Sequence, residues 1–383
     1  MKPILRQEQL HRTVGIYARA AVALILLPTL NSALSSAFAQ GGLTPPGAPA
    51  PTMRTLPQIE PRTPISSLPY TISNSGSYYL TTNLTGISGT NGITITVGDV
   101  TLDLNGFALI GVTGSSNGVF ATSFFRNIAV RNGTVRNWGR FGVDIGNVSN
   151  GQLLDLRASN NGNGGAKTGA YSTVGRCVAE ENTLYGLYVG GGSVIKDSTA
   201  GFNSGAGINV LFNCTVVDCN ASDNRTNGIV AGSDSTVRGC TTSGNTGTGI
   251  STAGRCHIES CNASENTVDG IYPNDQTTIV RCTANRNNGD GIVLNSFTSV
   301  TDCVASYNFG NGIFASGDFN RIESNYVANN ADRGIRLHAV NTSIVIRNTA
   351  AANNTGDIPA AGTNIGPVES PATSTHPAAN FVM

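Results

Sequence analysis

Few residues of this 383-residue chain are equipped for chemistry: 23 Lys and Arg balance 23 Asp and Glu, and there are four histidines. Any reactive site must therefore be assembled from sparse groups that recur at a fixed spacing. Asp197 and Asp218 lie 21 residues apart, as do Asp269 and Asp290. If 21 residues make one turn of a coil, the members of each pair stack about 5 Å apart, where one carboxylate can act as nucleophile and the other as acid on a sugar. Completed by carbonyl oxygens, the same arrangement could hold Ca²⁺. Asp197 and Asp218 are the candidate catalytic pair, and solvated turn carboxylates are the plainer reading. Arg238 and Glu259 share the spacing, with His257 beside Glu259, and read as a surface ion pair.

A second set follows a recurring Gly by two positions: Lys167, Tyr188, Tyr272, Phe314 and Arg336. Rings mixed with polar and charged groups along one strip suit the apolar faces and hydroxyls of a sugar chain. These five are the candidate substrate-binding residues, although aromatic side chains also favour exposed strands on packing grounds alone. Trp138, the single Trp, replaces a recurring Asn and is expected to close the end of that Asn series.

The eight cysteines fall on two columns. Cys219, Cys240, Cys261, Cys282 and Cys303 follow at 21-residue intervals with Cys177 beyond Ser198, whereas Cys214 and Cys256 flank Ser235. Ligands of a metal centre must converge on a point and no Cys-x-x-Cys occurs, so none is expected. Parallel side chains are poorly aimed for disulfides even where their Cα atoms are close enough. Buried free thiols are the expected state, and export through an oxidising compartment would work against it.

The elements that must position these groups are set by the same period. Gly followed by an apolar residue recurs every 21 residues from Gly186-Leu187 to Gly312-Ile313. Looser members at Gly118, Gly142, Gly165 and Gly334 bring the count to eleven. Asn stands four residues before each regular Gly from Asn161 to Asn330, Ala usually stands seven before it, and an apolar residue stands twelve before it. Each repeat holds three short strand signals of period two separated by Asn and Gly turns, with no helical periodicity of useful length. The pattern predicts an all-β parallel β-helix of about 11 coils with 21-residue repeats. Ile, Val and Ala ladders should fill its interior and an Asn ladder should line one turn.

Lys2, Arg6, Arg12 and Arg19 precede the apolar run 20–27, and Ala37-Phe38-Ala39 offers small residues for cleavage, so residues 1–39 read as a secretory signal and the protein as extracellular or periplasmic. Residues 40–68 carry seven prolines and read as an extended tether. The β-helix is assigned to 69–358 and a tail, seated on the last coil by Phe381, to 359–383. Tyr70 to Leu84 lack the repeat and are expected to cross the first coil as a cover for its edge. No later stretch approaches a membrane span, and no basic tract points to nucleic acid. Charged residues make up 12% of the chain, so Asn, Ser, Thr and Gly must keep it in solution.

The Asn series, the three-strand coil and the opening Val100-Thr101-Leu102-Asp103-Leu104-Asn105-Gly106 resemble the right-handed parallel β-helix superfamily, with the pectate lyase-like fold. That superfamily includes pectate lyases, polygalacturonases and alginate epimerases. The segments Tyr70–Ser73, Gly76–Leu80 and His376–Phe381 also resemble secreted bacterial β-helix repeat proteins without assigned activity. The resemblance covers roughly residues 70–383 and implies a right-handed coil and a polysaccharide partner. The catalytic motifs of the epimerases, polygalacturonases and pectate lyases do not occur. Three readings remain: a rod that binds extracellular or cell-wall polysaccharide, a polysaccharide lyase or glycoside hydrolase, and a structural or adhesive surface protein. Monomer and trimer stay equally open.

Overall fold

A 21-residue repeat is too short to bury its own apolar residues, and here it does so by coiling against its neighbours. The computed structural model describes residues 59–338, 342–359, 364–370 and 374–383, all within the unit Thr55–Met383. The expected signal segment and residues 40–58 of the Pro-rich segment lie outside them. Three strands make one rung, as at Ile208–Val210, Thr215–Val217 and Asn220–Ser222. Each pairs in parallel with its equivalent in the next rung: Ile208 with Ile229, Val216 with Val237, Ala221 with Thr242. The strands that follow the recurring Gly form one sheet of 13, from Tyr70–Ile72 to Ile335–Leu337, termed here the Gly-Ile face. The second and third faces form one sheet of 27 strands, because Ile128–Arg136 and Gln152–Ser159 run through the corner between them.

The interior follows the pattern. Ile208, Ile229, Ile250, Ile271 and Ile292 are fully buried beneath the Gly-Ile face. Val216, Val237, Ile258 and Ile279 fill the second face, and Ala200, Ala221 and Ala263 the tighter third. Each corner is closed by a polar ladder, since a buried N–H without an acceptor is costly. Where the third face turns into the Gly-Ile face, each Asn donates through Nδ2 to the Oδ1 of the next, as in Asn224 to Asn245 and Asn245 to Asn266, both at 3.0 Å. Trp138 heads this ladder: its N–H donates to Asn161 Oδ1 at 3.1 Å and its indole N–H to Leu109 O at 3.2 Å. Between the Gly-Ile face and the second face the ladder is of hydroxyls and thiols: Ser172, Ser193, Cys214, Ser235, Cys256, Thr277 and Thr298. Between the second and third faces run Cys177, Ser198, Cys219, Cys240, Cys261, Cys282 and Cys303, followed by Asn325, Asn348 and Asn380. All eight cysteines are free and buried.

The N-terminal end differs from expectation, whereas the C-terminal tail folds back onto the last coil as expected. Tyr70 to Leu84 do not cross the first coil; they form it, Tyr70–Ile72 pairing with Ile93–Ile95 and Gly76–Tyr79 with Val100–Asp103. These rungs escaped the repeat because Ile93 pairs with Val119 and Val119 with Val143, so each turn is longer than 21 residues. The exposed edge is met instead by Thr63–Ile65, parallel to Tyr78–Leu80 and inside the Pro-rich segment. Arg62 fastens it, bonded to Glu60, lying 3.3 Å from Asp103 and resting 4.6 Å over the Tyr79 ring. At the other end Asn380 receives N–H and Nδ2 of Asn348 at 3.0 and 3.1 Å, and Phe381 pairs with Thr349 as a further strand. No helix among the described residues is long and apolar enough to cross a membrane.

Candidate functional site

Asp197 and Asp218 stack on successive rungs, since Lys196 pairs with Val217. They occupy the position just before the thiol ladder, exposed, at φ of 51° and 52°. Left-handed backbone is where Asp is tolerated better than most residues, because its short side chain can bond locally. Their column is a line of corner charges: Arg176, on the rung before Asp197, bonds Asp155 at 2.6 and 2.8 Å and holds that carboxyl below its usual range. The corner between the second and third faces is not the Gly-Ile face, so the candidate catalytic pair and the candidate sugar strip are not brought together.

Asp269 and Asp290 also stack, but as links in a fourth ladder. Asp269 Oδ1 accepts the N–H of Asp290 at 2.8 Å, and Asp290 Oδ1 accepts both N–H and Nδ2 of Asn311 at 2.6 and 2.8 Å. Burial pushes the Asp269 carboxyl up. Among the described residues no three or more His, Cys, Asp or Glu converge where a metal could sit. Glu259 pairs with Arg281 and with His257 Nε2 at 3.6 Å rather than with the stacked Arg238, because the corner residue one rung on reaches back over it.

The five strip residues share the outward position of the Gly-Ile face. Lys167 is paired with Tyr188 and Phe314 with Arg336. The Lys167 ammonium lies 5.7 Å from the Phe141 ring and 5.6 Å from that of Tyr188, which in turn packs on Tyr185 at 5.4 Å. At the opposite end the Arg336 guanidinium sits 4.9 Å over Phe314. Beside it a shallow depression of about 550 Å³ is lined by Asp332, Arg333, Arg336, Leu337, His338 and Thr355. Tyr272 stands between these two groups, 39% exposed and paired with Ser251.

Both long margins of this face carry rings that the repeat did not single out. Tyr171, Phe297 and Phe319 stand where the Gly-Ile face turns into the second face; Phe202 and Tyr307 stand where the third face turns into the Gly-Ile face. All five have φ between 55° and 59° and are 56–70% exposed. Phe297 and Phe319 stack at 5.1 Å with planes 12° apart. The Tyr171 and Phe212 rings lie so close over Gly192 and Gly191 that a Cβ on either glycine would collide with them at 2.8 Å. The signal that would have found these residues is position: each of the five margin aromatics directly precedes a ladder residue, such as Ser172, Asn203, Thr298, Asn308 or Asn320.

The coil, its ladders and its uninterrupted parallel pairing define a right-handed parallel β-helix with the pectate lyase-like fold. The family model described as right handed beta helix region matches residues 85–237 and 230–321, and the chain belongs to that family. Among solved structures, the A-module of the Azotobacter vinelandii mannuronan C-5 epimerase AlgE4 is similar with a TM-score of 0.56 and 15% identity, over 76% of this chain and 90% of that one. The A-module of AlgE6 from the same organism has a TM-score of 0.53 and 14% identity, over 81% and 90%. At such identities the likeness is one of fold. No curated protein matches this chain.

Proposed function

We propose that the protein is an extracellular or periplasmic rod that binds an extended polysaccharide along the Gly-Ile face. The observation that carries this reading is the set of aromatic residues on its margins. Left-handed backbone at Phe or Tyr costs about 1–3 kcal/mol, and a ring more than half exposed recovers only part of it by burial. Five such residues beside one face are thus unfavourable to the fold and suited to a ligand that stacks on flat rings. Pyranose faces do so, while Lys167 and Arg336 offer donors for hydroxyl or acidic groups along the same line. The mannuronan epimerases among the similar structures act, by name, on a polysaccharide, which agrees with this reading.

The test is affinity electrophoresis of the purified chain through gels carrying neutral or uronate polysaccharides. Retardation by at least one glycan is expected, and Tyr188→Ala with Phe314→Ala should weaken it roughly tenfold, at about 0.5–1.5 kcal/mol per stacked ring. Retardation unchanged by the double variant would overturn the assignment of the face. The same incubations are scored for new reducing ends and unsaturated products. Turnover lost in Asp197→Asn/Asp218→Asn would replace binding with a lyase or hydrolase reading.

A further inference from the structure

Glycan binding leaves the thiol ladder without a use. We propose that Cys219, Cys240, Cys261, Cys282 and Cys303 form a linear site for soft, two-coordinate cations, of which Cu⁺ is the biological representative. Hydrogen bonding alone does not call for sulfur in this column. Ser198 Oγ accepts the N–H of Cys177 at 3.2 Å and Asn325 Oδ1 that of Cys303 at 2.9 Å, whereas the sulfurs of Cys282 and Cys303 accept the N–H of the preceding rung at 3.5 and 3.3 Å. Oxygen does the structural work at shorter range, yet five successive rungs carry the softer atom.

The sulfurs are also aligned. Each contacts the carbonyl oxygen two residues before it, at 3.2, 3.3, 3.3, 3.4 and 3.3 Å from Cys219 to Cys303. One repeated side-chain geometry on stacked rungs places the sulfurs in a row at the rung spacing of about 4.8 Å. Two metal–thiolate bonds of about 2.3 Å placed end to end span about 4.6 Å. A cation with two opposed ligands therefore fits between neighbouring sulfurs, and thiolates select Cu⁺ among biological metals. Zn²⁺ needs four ligands around a point, which a row cannot give. The outward residues just before the three middle thiols are Gly239, Ser260 and Arg281; the Asp218 carboxylate reaches over Gly239 and the Arg281 guanidinium is held by Glu259, so the cover is thin at Gly239 and Ser260.

For a univalent ion M⁺, the first pair of thiols releases two protons and becomes S–M–S with one negative charge. Each further ion bound to the end of that chain displaces one more proton. Five sulfurs leave four gaps, so a filled column of five thiolates and four ions keeps a single negative charge. The backbone N–H groups that point at Cys282 and Cys303 offset it.

The test is native mass spectrometry of the whole chain with Ag⁺, and with Cu⁺ as its acetonitrile complex, under anaerobic reducing conditions. Metal is added to the folded protein and, separately, during refolding. Two to four ions per chain are expected by at least one route. Cys240→Ser leaves three contiguous thiols and should retain one or two; Cys240→Ser/Cys282→Ser leaves no neighbours and should retain none. Serine is tolerated in this column at Ser198, which is 2% exposed, and circular dichroism verifies that the variants fold. Cys214→Ser/Cys256→Ser, on the other ladder, should bind as the parent does. Fewer than two ions by both routes, retention by the double Cys240/Cys282 variant, or equal uptake of Zn²⁺ would overturn the proposal.

Discussion

Asn245→Ala would cut the Asn ladder at its middle, and the cost follows from which groups are left without partners. The Asn245 side chain donates to Ala221 O at 2.9 Å and to Asn266 Oδ1 at 3.0 Å, and it accepts the N–H and Nδ2 of Asn224 at 2.9 and 3.0 Å. After the change Asn224 Nδ2 keeps Ala200 O and Ser222 O, and Asn266 Oδ1 keeps the N–H of residue 245. The Asn224 N–H loses its acceptor and Ala221 O loses its side-chain donor. Both lie where the ladder is fully buried. Ala221 O keeps its backbone donor from the paired strand, so one stranded N–H at about 1–3 kcal/mol and one lost bond at about 0.5–1.5 kcal/mol predict a loss of about 1.5–4.5 kcal/mol. Asn209→Ala, on the outward strip, should change stability by less than about 0.5 kcal/mol. Urea denaturation of both variants checks the difference. Because a solenoid couples each rung to its neighbours, amide hydrogen exchange should show protection falling first around Asn224 and Asn245 and persisting near Leu102. If Asn245→Ala costs no more than Asn209→Ala, the ladder amides are exchanging protein bonds for water without penalty, and the account of the corners is wrong.

Burial holds the Asp269 carboxyl above its usual value, so its contribution to stability is full below the unfolded pKa and is lost as pH rises through the folded one. Asp269→Asn keeps the acceptor for the Asp290 N–H and should gain on the parent above about pH 4 but not below it; an equal difference across denaturation midpoints from acid to neutral pH would refute this. Thr242 Oγ1 is buried without a partner in the Ala column, so Thr242→Val, of the same shape, should raise stability by about 1–2 kcal/mol, and an unmoved melting temperature would show that the hydroxyl is satisfied. At the C-terminal end Asn380→Ala should destabilise more than Phe381→Ala, because Asn380 bonds Asn348, Val345 O and Gly366 O whereas Phe381 is half-exposed. Limited proteolysis of the tail ranks the two, and the reverse order would restore the ring as the seat.

The coil was legible because a ladder residue is its neighbour's hydrogen-bond partner. Asn203 must meet Asn224 as Asn224 meets Asn245, so the identity repeats with the rung and the period is visible without structure. The same logic exposed the thiol column, and the buried isoleucines repeat because each packs in the same core position on its own rung. It failed where rungs lengthen: from Tyr70 to Ile93 and from Ile93 to Val119 the turn is longer than the 21-residue clock, and Tyr70 to Leu84 of the first coil read as a cover. At the C-terminal end it found the fold-back of the tail, with Phe381 paired to Thr349, but missed that Asn380 resumes a ladder there after a detour.

The site resisted the same reading for a physical reason. An outward side chain has no obligatory partner on the next rung, so Lys167, Tyr188, Asn209 and Val230 follow one another on paired strands without any repeating type. Spacing can locate such a column but cannot say which of its members bind. It can also mislead, since Asp197 and Asp218 recur at the coil period because left-handed corners tolerate Asp, a preference of the backbone that needs no ligand. The informative residues are those that the backbone disfavours: a ring at positive φ and in water meets neither the corner's preference nor the core's. Tyr171, Phe202, Phe297, Tyr307 and Phe319 each stand directly before a ladder residue, a position visible in the sequence, but that this position is a left-handed, exposed corner comes from the coordinates. In this fold regularity therefore marks what the coil requires, and the departures from it mark where a ligand could account for the cost.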